Sequence, residues 1–111
     1  MVSIIKKVSP VQASVNALTL VDGSIIDTQN SFVLSYTIVN TGANSIDWEV
    51  HAGNVSDLSD GVAVKASAAL AKDAVSSYSV NPSLYQYYGI YIKSTAGGSA
   101  GEATIVGIAK G

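Results

Sequence analysis

Among the 111 residues there is one histidine, His51, and any acid–base or nucleophilic chemistry that needs a proton carrier near neutral pH would have to pass through it. It lies in Ile46-Asp47-Trp48-Glu49-Val50-His51, two residues from Glu49 on the polar side of an alternating run, which is the ordinary setting of a surface strand residue. Metal sites that require two histidines are excluded. So are disulfides, thiolate ligands and cysteine nucleophiles, because the sequence has no cysteine. Asp57 and Asp60 with Gly61, joined by Asp22 or Asp27 from another loop, could offer oxygens to a calcium ion. Their spacing departs from the helix-flanked calcium loop, so they read as solvated loop carboxylates. Asn54-Val55-Ser56 matches the glycosylation sequon by composition alone. Gly97-Gly98-Ser99-Ala100-Gly101 leads toward a strand rather than a helix, so it is not a phosphate-binding loop. The expectation is a protein that is not an enzyme, with no catalytic residues, no metal ligands and no cofactor.

The tyrosines carry more substance. Tyr85, Tyr87 and Tyr91 alternate with Tyr88, Ile90 and Ile92, and Gly89 leaves a flat gap in the stripe. Rings on one strand face can stack on a sugar or pack against a partner. A glycan is therefore a possible ligand, although only Lys93 is in phase with the rings, and packing between sheets or subunits is the simpler use.

The elements that must position these residues are strands. Phe32 to Gly53 reads as two strands joined at Asn40-Thr41-Gly42-Ala43-Asn44, where Gly42 and the asparagines can adopt positive φ and reverse the chain as a hairpin. In the second of these strands Ile46, Trp48 and Val50 face a core. The first strand is apolar on both faces and belongs inside a sheet. Residues 1–9 read as an arm or short edge strand ending near Pro10, with residues 10–111 forming one domain. Alternation from Val11 slips phase before Leu20, which predicts a bulge near Asn16 or Ala17. Asp22-Gly23 and Thr28-Gln29-Asn30 mark turns around a short run, and residues 54–61 form a polar loop. From Val62 to Val80 the sequence predicts strand, short loop around Leu70 to Asp73, then strand, against a helical alternative favoured by the alanines. Asn81-Pro82-Ser83-Leu84 is a turn, and Ala103 to Lys110 closes the domain. Seven to eight short strands at roughly ten-residue spacing predict an all-β single antiparallel β-sandwich, jelly-roll or Ig-like.

Charge narrows the class further. Charged residues make up 13% of the chain, where about 25% is usual. A folded surface of roughly 5,700 Å² would then carry about one charge per 400 Å². Such a surface is sparse for a free monomer, so part of it is expected to be covered by other subunits. All six basic residues are lysines and the net charge is −2, which argues against nucleic acid. No run approaches the roughly 20 apolar residues of a membrane span, and the lysines of Met1-Val2-Ser3-Ile4-Ile5-Lys6-Lys7 follow the apolar residues, the reverse of a signal peptide.

About two thirds of the chain resembles a type of small virion protein of tailed bacteriophages. The carriers are Val39-Asn40-Thr41-Gly42-Ala43-Asn44-Ser45-Ile46, the alanine-rich pair ending in Tyr78-Ser79-Val80-Asn81-Pro82, Tyr87-Tyr88-Gly89-Ile90-Tyr91-Ile92-Lys93-Ser94, and Gly98 to Ala109. The resemblance implies a β-sandwich that decorates or cements the capsid, with tail or fibre component as the alternative within the class. It implies a place on the virion surface after synthesis in the host cytoplasm, and the major capsid protein or another virion protein as partner. A homo-oligomer, a trimer above all, is the expected unit. The expected interface residues are Val2, Ile4, Ile5 and Val8 of the arm with Tyr85, Tyr87 and Tyr91. Outside the class, a carbohydrate-binding or adhesion module is the competing reading.

Overall fold

The computed structural model describes residues 3–13, 18–21, 23–28, 33–80, 83, 85–95 and 101–110, with side chains for all of these except 3–13 and 110. The chain is an all-β antiparallel sandwich, with nine strands among the described residues: β1 (Ser3–Ala13), β2 (Thr19–Leu20), β3 (Ile26–Asp27), β4 (Val33–Asn40), β5 (Ile46–Gly53), β6 (Val62–Leu70), β7 (Val75–Val80), β8 (Tyr87–Ser94) and β9 (Gly101–Lys110). One sheet has the order β1-β9-β4-β7. The other has the order β2-β8-β5-β6, with β3 also on β8. β2 and β3 are two pieces of one edge strand, because Thr19 and Leu20 pair with Ile92 and Tyr91 while Ile26 and Asp27 pair with Tyr88 and Tyr87. At the break the Ser24 hydroxyl accepts from the Ile90 amide at 3.0 Å, so a side chain replaces a missing rung of the ladder. Counted this way there are eight strands in two four-stranded sheets, the jelly-roll arrangement.

The pairings β5–β6, β4–β7, β2/β3–β8 and β1–β9 are those of one long antiparallel ribbon folded over on itself. Its tip is the loop 54–61. The sequence expectation of a hairpin around residues 40–44 is therefore corrected: β4 and β5 lie in opposite sheets. Residues 41–45 carry one arm of the ribbon from sheet to sheet, and residues 71–74 carry the other. Nor does this connection use positive φ at Asn40, Gly42 or Asn44. Among the described residues the positive values fall at Gly23, Leu58, Ala69 and Asp73. Gly42 serves instead by having no side chain, since a Cβ would come 3.1 Å from the Glu102 backbone nitrogen and Cβ.

Asn40 holds the two arms together at this corner. Fully buried, its Nδ2 donates to the carbonyls of Asn44 and Leu70, both at 2.8 Å, and its Oδ1 accepts from the Gly42 amide at 3.0 Å. Its own amide donates to Ala74 O, and its carbonyl accepts from the Asp73 amide.

The core follows from alternation. Leu34, Tyr36 and Ile38 of β4 and Ala103, Ile105 and Ala109 of β9 face Ile46, Trp48 and Val50 of β5 and Tyr88, Ile90 and Ile92 of β8. The Tyr36 ring fits because its partner in β9 is Gly107, where any Cβ would overlap the ring and Ile26. Its hydroxyl reaches across the core to the carbonyls of Ser24 at 2.6 Å and Tyr88 at 2.9 Å, sharing its one proton between them. β4 lies inside its sheet and Trp48 in the core, as read from sequence, and residues 62–80 are strand, turn and strand. β1 is a single edge strand that continues beyond Pro10, with a register shift between Val8 and Val11. The bulge expected near Asn16 or Ala17 lies outside the described residues, as do Phe32 and most of the turn at 81–84.

Two outcomes follow from this polar framework. Asn40→Ala strips partners from two carbonyls and an amide and should lower unfolding free energy by about 3 kcal/mol, read from urea denaturation. Burial pushes the Tyr36 phenol well above its ordinary range. Its proton is held in the folded state and lost from the unfolded chain above about pH 10, so its stabilisation is complete below that pH and drains away above it, by up to about 1.4 kcal/mol per pH unit. Tyr36→Phe should flatten the alkaline limb of a stability–pH curve, and an unchanged limb would refute the assignment.

Candidate interaction surfaces

On the outer face of the sheet that holds β5 and β8, β5 presents Asp47, Glu49 and His51, and β8 presents Gly89, Tyr91 and Lys93. Register sets Asp47 opposite Lys93, Glu49 opposite Tyr91 and His51 opposite Gly89. His51 Nε2 lies 2.8 Å from Glu49 Oε1, and the imidazole rests against the Tyr91 ring with centroids 4.1 Å apart and planes tilted by 31°. Asp47 Oδ1 accepts from the Ala69 amide at 3.0 Å, which holds the positive-φ residue where β6 gains an extra residue against β5. Asp47, Glu49 and Lys93 border a shallow depression of about 240 Å³ whose other side is Ala66, Ser67 and Ala68. Its chemistry is that of a mixed-charge polar surface. His51 is engaged by a carboxylate and a ring, and among the described residues no three His, Asp or Glu side chains converge as metal ligands.

Toward the ribbon tip the same face is covered. The flat gap expected at Gly89 is filled: a Cβ there would meet Leu58, Leu20 and Ile25, and Leu58 is buried. The loop 54–61 is folded onto the sheet by its own carboxylates. Asp60 accepts from the amides of Asn54 and Val55 at 3.0 and 3.2 Å. Asp57 accepts from the Ser59 amide at 2.9 Å, and hydrogen bonds from Ser59 hold its pKa below the ordinary carboxylate value. The two aspartates thus hold backbone, and the calcium reading of them has no geometric support among the described residues. Asn54 stands exposed, its Oδ1 accepting from the Gln86 amide at 3.2 Å.

The tyrosine stripe is accordingly divided. Tyr85 precedes β8 and packs against the core, edge-to-face with Tyr88 at 6.2 Å and 79°. Tyr87 is half-buried with its hydroxyl accepting from Gln86 Nε2 at 3.2 Å, and Tyr91 is occupied by His51. A continuous stacking platform of Tyr85, Tyr87 and Tyr91 does not form, because the loop occupies the glycine gap and Tyr85 turns inward. Of the arm residues, Ile4, Ile5 and Val8 lie on edge strand β1, opposite Ala109, Ile108 and Ile105 of β9. Val2 lies outside the described residues.

Sequence reasoning missed the side of the sandwich formed by β6 and β7. Among the described residues the exposed large apolar side chains are Val62 and Val64 on β6, Val75 on β7 and Val55 in the tip loop. Most of β6 is exposed on both faces. The signal was in the sequence, since Val62-Ala63-Val64 and Val75 stand in runs with few charges, but alternation alone assigns such residues to a core.

No family model matches the chain, and no curated protein matches it in sequence. Solved structures with the same fold include a protein from Bacillus endospore appendages, described as a novel family of disulfide-linked pili, with TM-score 0.57 and 18% identity over 97% of this chain and 88% of that one. They also include the SPBc2 prophage-derived protein YomS, with TM-score 0.53 and 12% identity over 98% of this chain and 96% of that one. Identities this low establish the shared fold.

Cutting Leu58 to alanine should cost about 2–3 kcal/mol and expose the Gly89 backbone beneath it. Faster hydrogen exchange at residues 87–90, with β4 unaffected, is the accompanying expectation; uniform exchange across both sheets would contradict a separate outer cluster.

Proposed function

We propose that the chain is a non-enzymatic structural subunit of a phage particle, a decoration or cementing protein on the head surface that binds the major capsid protein or another virion protein. The observation that carries this reading is a charge-poor sandwich with valines exposed on the edge strands β6 and β7 and in the tip loop, leaving a surface suited to contact with neighbours. The sequence resemblance to small phage virion proteins supports it, and the prophage-derived and pilus proteins that share the fold are compatible with it. A lattice of identical sites makes modest contacts collectively strong, so a small rigid sandwich needs no large interface. Trimers are the expected unit.

The likeness to a pilus protein favours one second reading, a tail or fibre component. That pilus family is described as disulfide-linked, whereas this sequence has no cysteine and would assemble through non-covalent contacts.

Mass spectrometry of purified particles, with immunogold labelling, should find the protein on heads. Labelling on tails selects the second reading, and absence from particles refutes both. Removing residues 1–8 should abolish particle binding in a re-addition assay; full retention would exclude the arm from the interface.

A further inference from the structure

We infer that copies of this chain join by strand addition, with β1 of one copy docking antiparallel on β7 of the next so that the four-stranded sheet continues from subunit to subunit. The inference rests on reading the chain as an assembly subunit and adds which edges meet and in what sense.

The sheet edges are not alike. Proteins blunt open edges with lysine, proline, bulges or very short strands. Among the described strands β2 has two residues, and β6 has two register shifts against β5 and carries Lys65. β7 has none of these devices. Its six residues, Val75-Ser76-Ser77-Tyr78-Ser79-Val80, run in unbroken register along β4 from Val39↔Val75 to Leu34↔Val80, without a charge or a proline. It ends the strand order, so its second row of amides and carbonyls faces away from the sheet.

β1, the opposite edge of that same sheet, does carry lysines and Pro10, and like charges disfavour its pairing with another β1, but its first stretch matches β7 in length. From Ser3↔Lys110 to Val8↔Ile105 the register on β9 is unbroken for six residues before the shift that precedes Val11. The strands β1, β9, β4 and β7 alternate in direction. Two copies in the same orientation therefore bring β7 of one beside β1 of the other with opposite polarity, the geometry of an antiparallel ladder. Charge sets no obstacle to this pairing: β1 carries Lys6 and Lys7 and no acid, and β7 carries no charge at all. Val75, 62% exposed, opens the β7 edge that the incoming copy would cover. A contact between two different edges is heterologous, and it closes into a ring or grows into a filament.

The test uses the full chain in sedimentation velocity and native mass spectrometry, over about 1–100 µM at low and high salt. The unmodified protein should form oligomers at both salt levels, because β7 brings no charge to the contact. Val75→Lys with Ser77→Lys, both exposed positions, should raise Kd at least about tenfold with an unchanged circular dichroism spectrum and melting midpoint. Lys6→Glu with Lys7→Glu should change assembly little on its own, because β7 is uncharged, and the four changes together should recover it by pairing the new lysines with the new carboxylates. A monomer throughout the range, an oligomer indifferent to the β7 changes, or failure of the combined variant to recover each overturns the strand addition. Particle association is scored separately, so an unchanged oligomer in a particle-bound protein refutes this contact and leaves the particle role standing.

Discussion

A ribbon folded into two sheets must turn both of its arms at the same place, and Asn40 is where this chain enforces that. Its amide and carbonyl groups reach Gly42 and Asn44 on one connection and Leu70 on the other, while its backbone bonds Asp73 and Ala74. A fully buried polar side chain is costly unless satisfied, and here the side-chain amide and both backbone groups have partners. The result is positional: β4 and β7 cannot slide relative to each other without breaking the bonds that start β5 and end β6. The same connection is tied to the neighbouring arms as well, by the Thr41 amide on Glu102 O and the Thr95 amide on Ser45 O.

With the corners fixed, the interior can be almost wholly apolar. Tyr36 makes a long polar reach across the core, from β4 to the backbone of β8. The contrast is Trp48, 1% exposed, whose Nε1 has no partner among the described residues. An unpaired indole N–H costs roughly 1–3 kcal/mol, and the ring's buried area outweighs that cost. The sandwich tolerates the loss because its registers are set elsewhere. Specificity sits at the corners and bulk stabilisation sits in the stacked sheets.

This division explains what could be read from the sequence. Period-two alternation reports which side of a strand is buried, so the faces of β4, β5, β8 and β9 were legible, and with them the all-β class and the place of Trp48. Alternation does not say which strand lies alongside. A five-residue link with Gly and Asn looks the same whether it reverses within a sheet or crosses to the other sheet, and the deciding contacts, Asn40 with Leu70 and Ala74, lie 30 and more residues apart. The same limit hid the covering of Gly89, since Leu58 reaches it from a loop that composition marks as polar. It also hid the inward turn of Tyr85, which sits just before its strand begins. The arm was legible as an edge, but its continuation past Pro10 depended on a register shift that no local pattern announces.

The ribbon topology also determines what kind of neighbour the molecule can have. Because the chain's first and last strands pair with each other, both lie toward one side of the four-stranded sheet, and the ribbon's middle, β6 and β7, lies toward the other. The two sides are therefore made from unrelated stretches of sequence and need not resemble each other. Here they differ in the features that govern association: lysines, a proline and a register shift on β1, against valines and an uncharged ladder on β7. A surface with two dissimilar edges has no reason to pair like with like. It gains most by presenting one edge to the other, so low charge and apolar exposure, which would be a hazard for a solitary protein, become a directional contact for one that is built into an array.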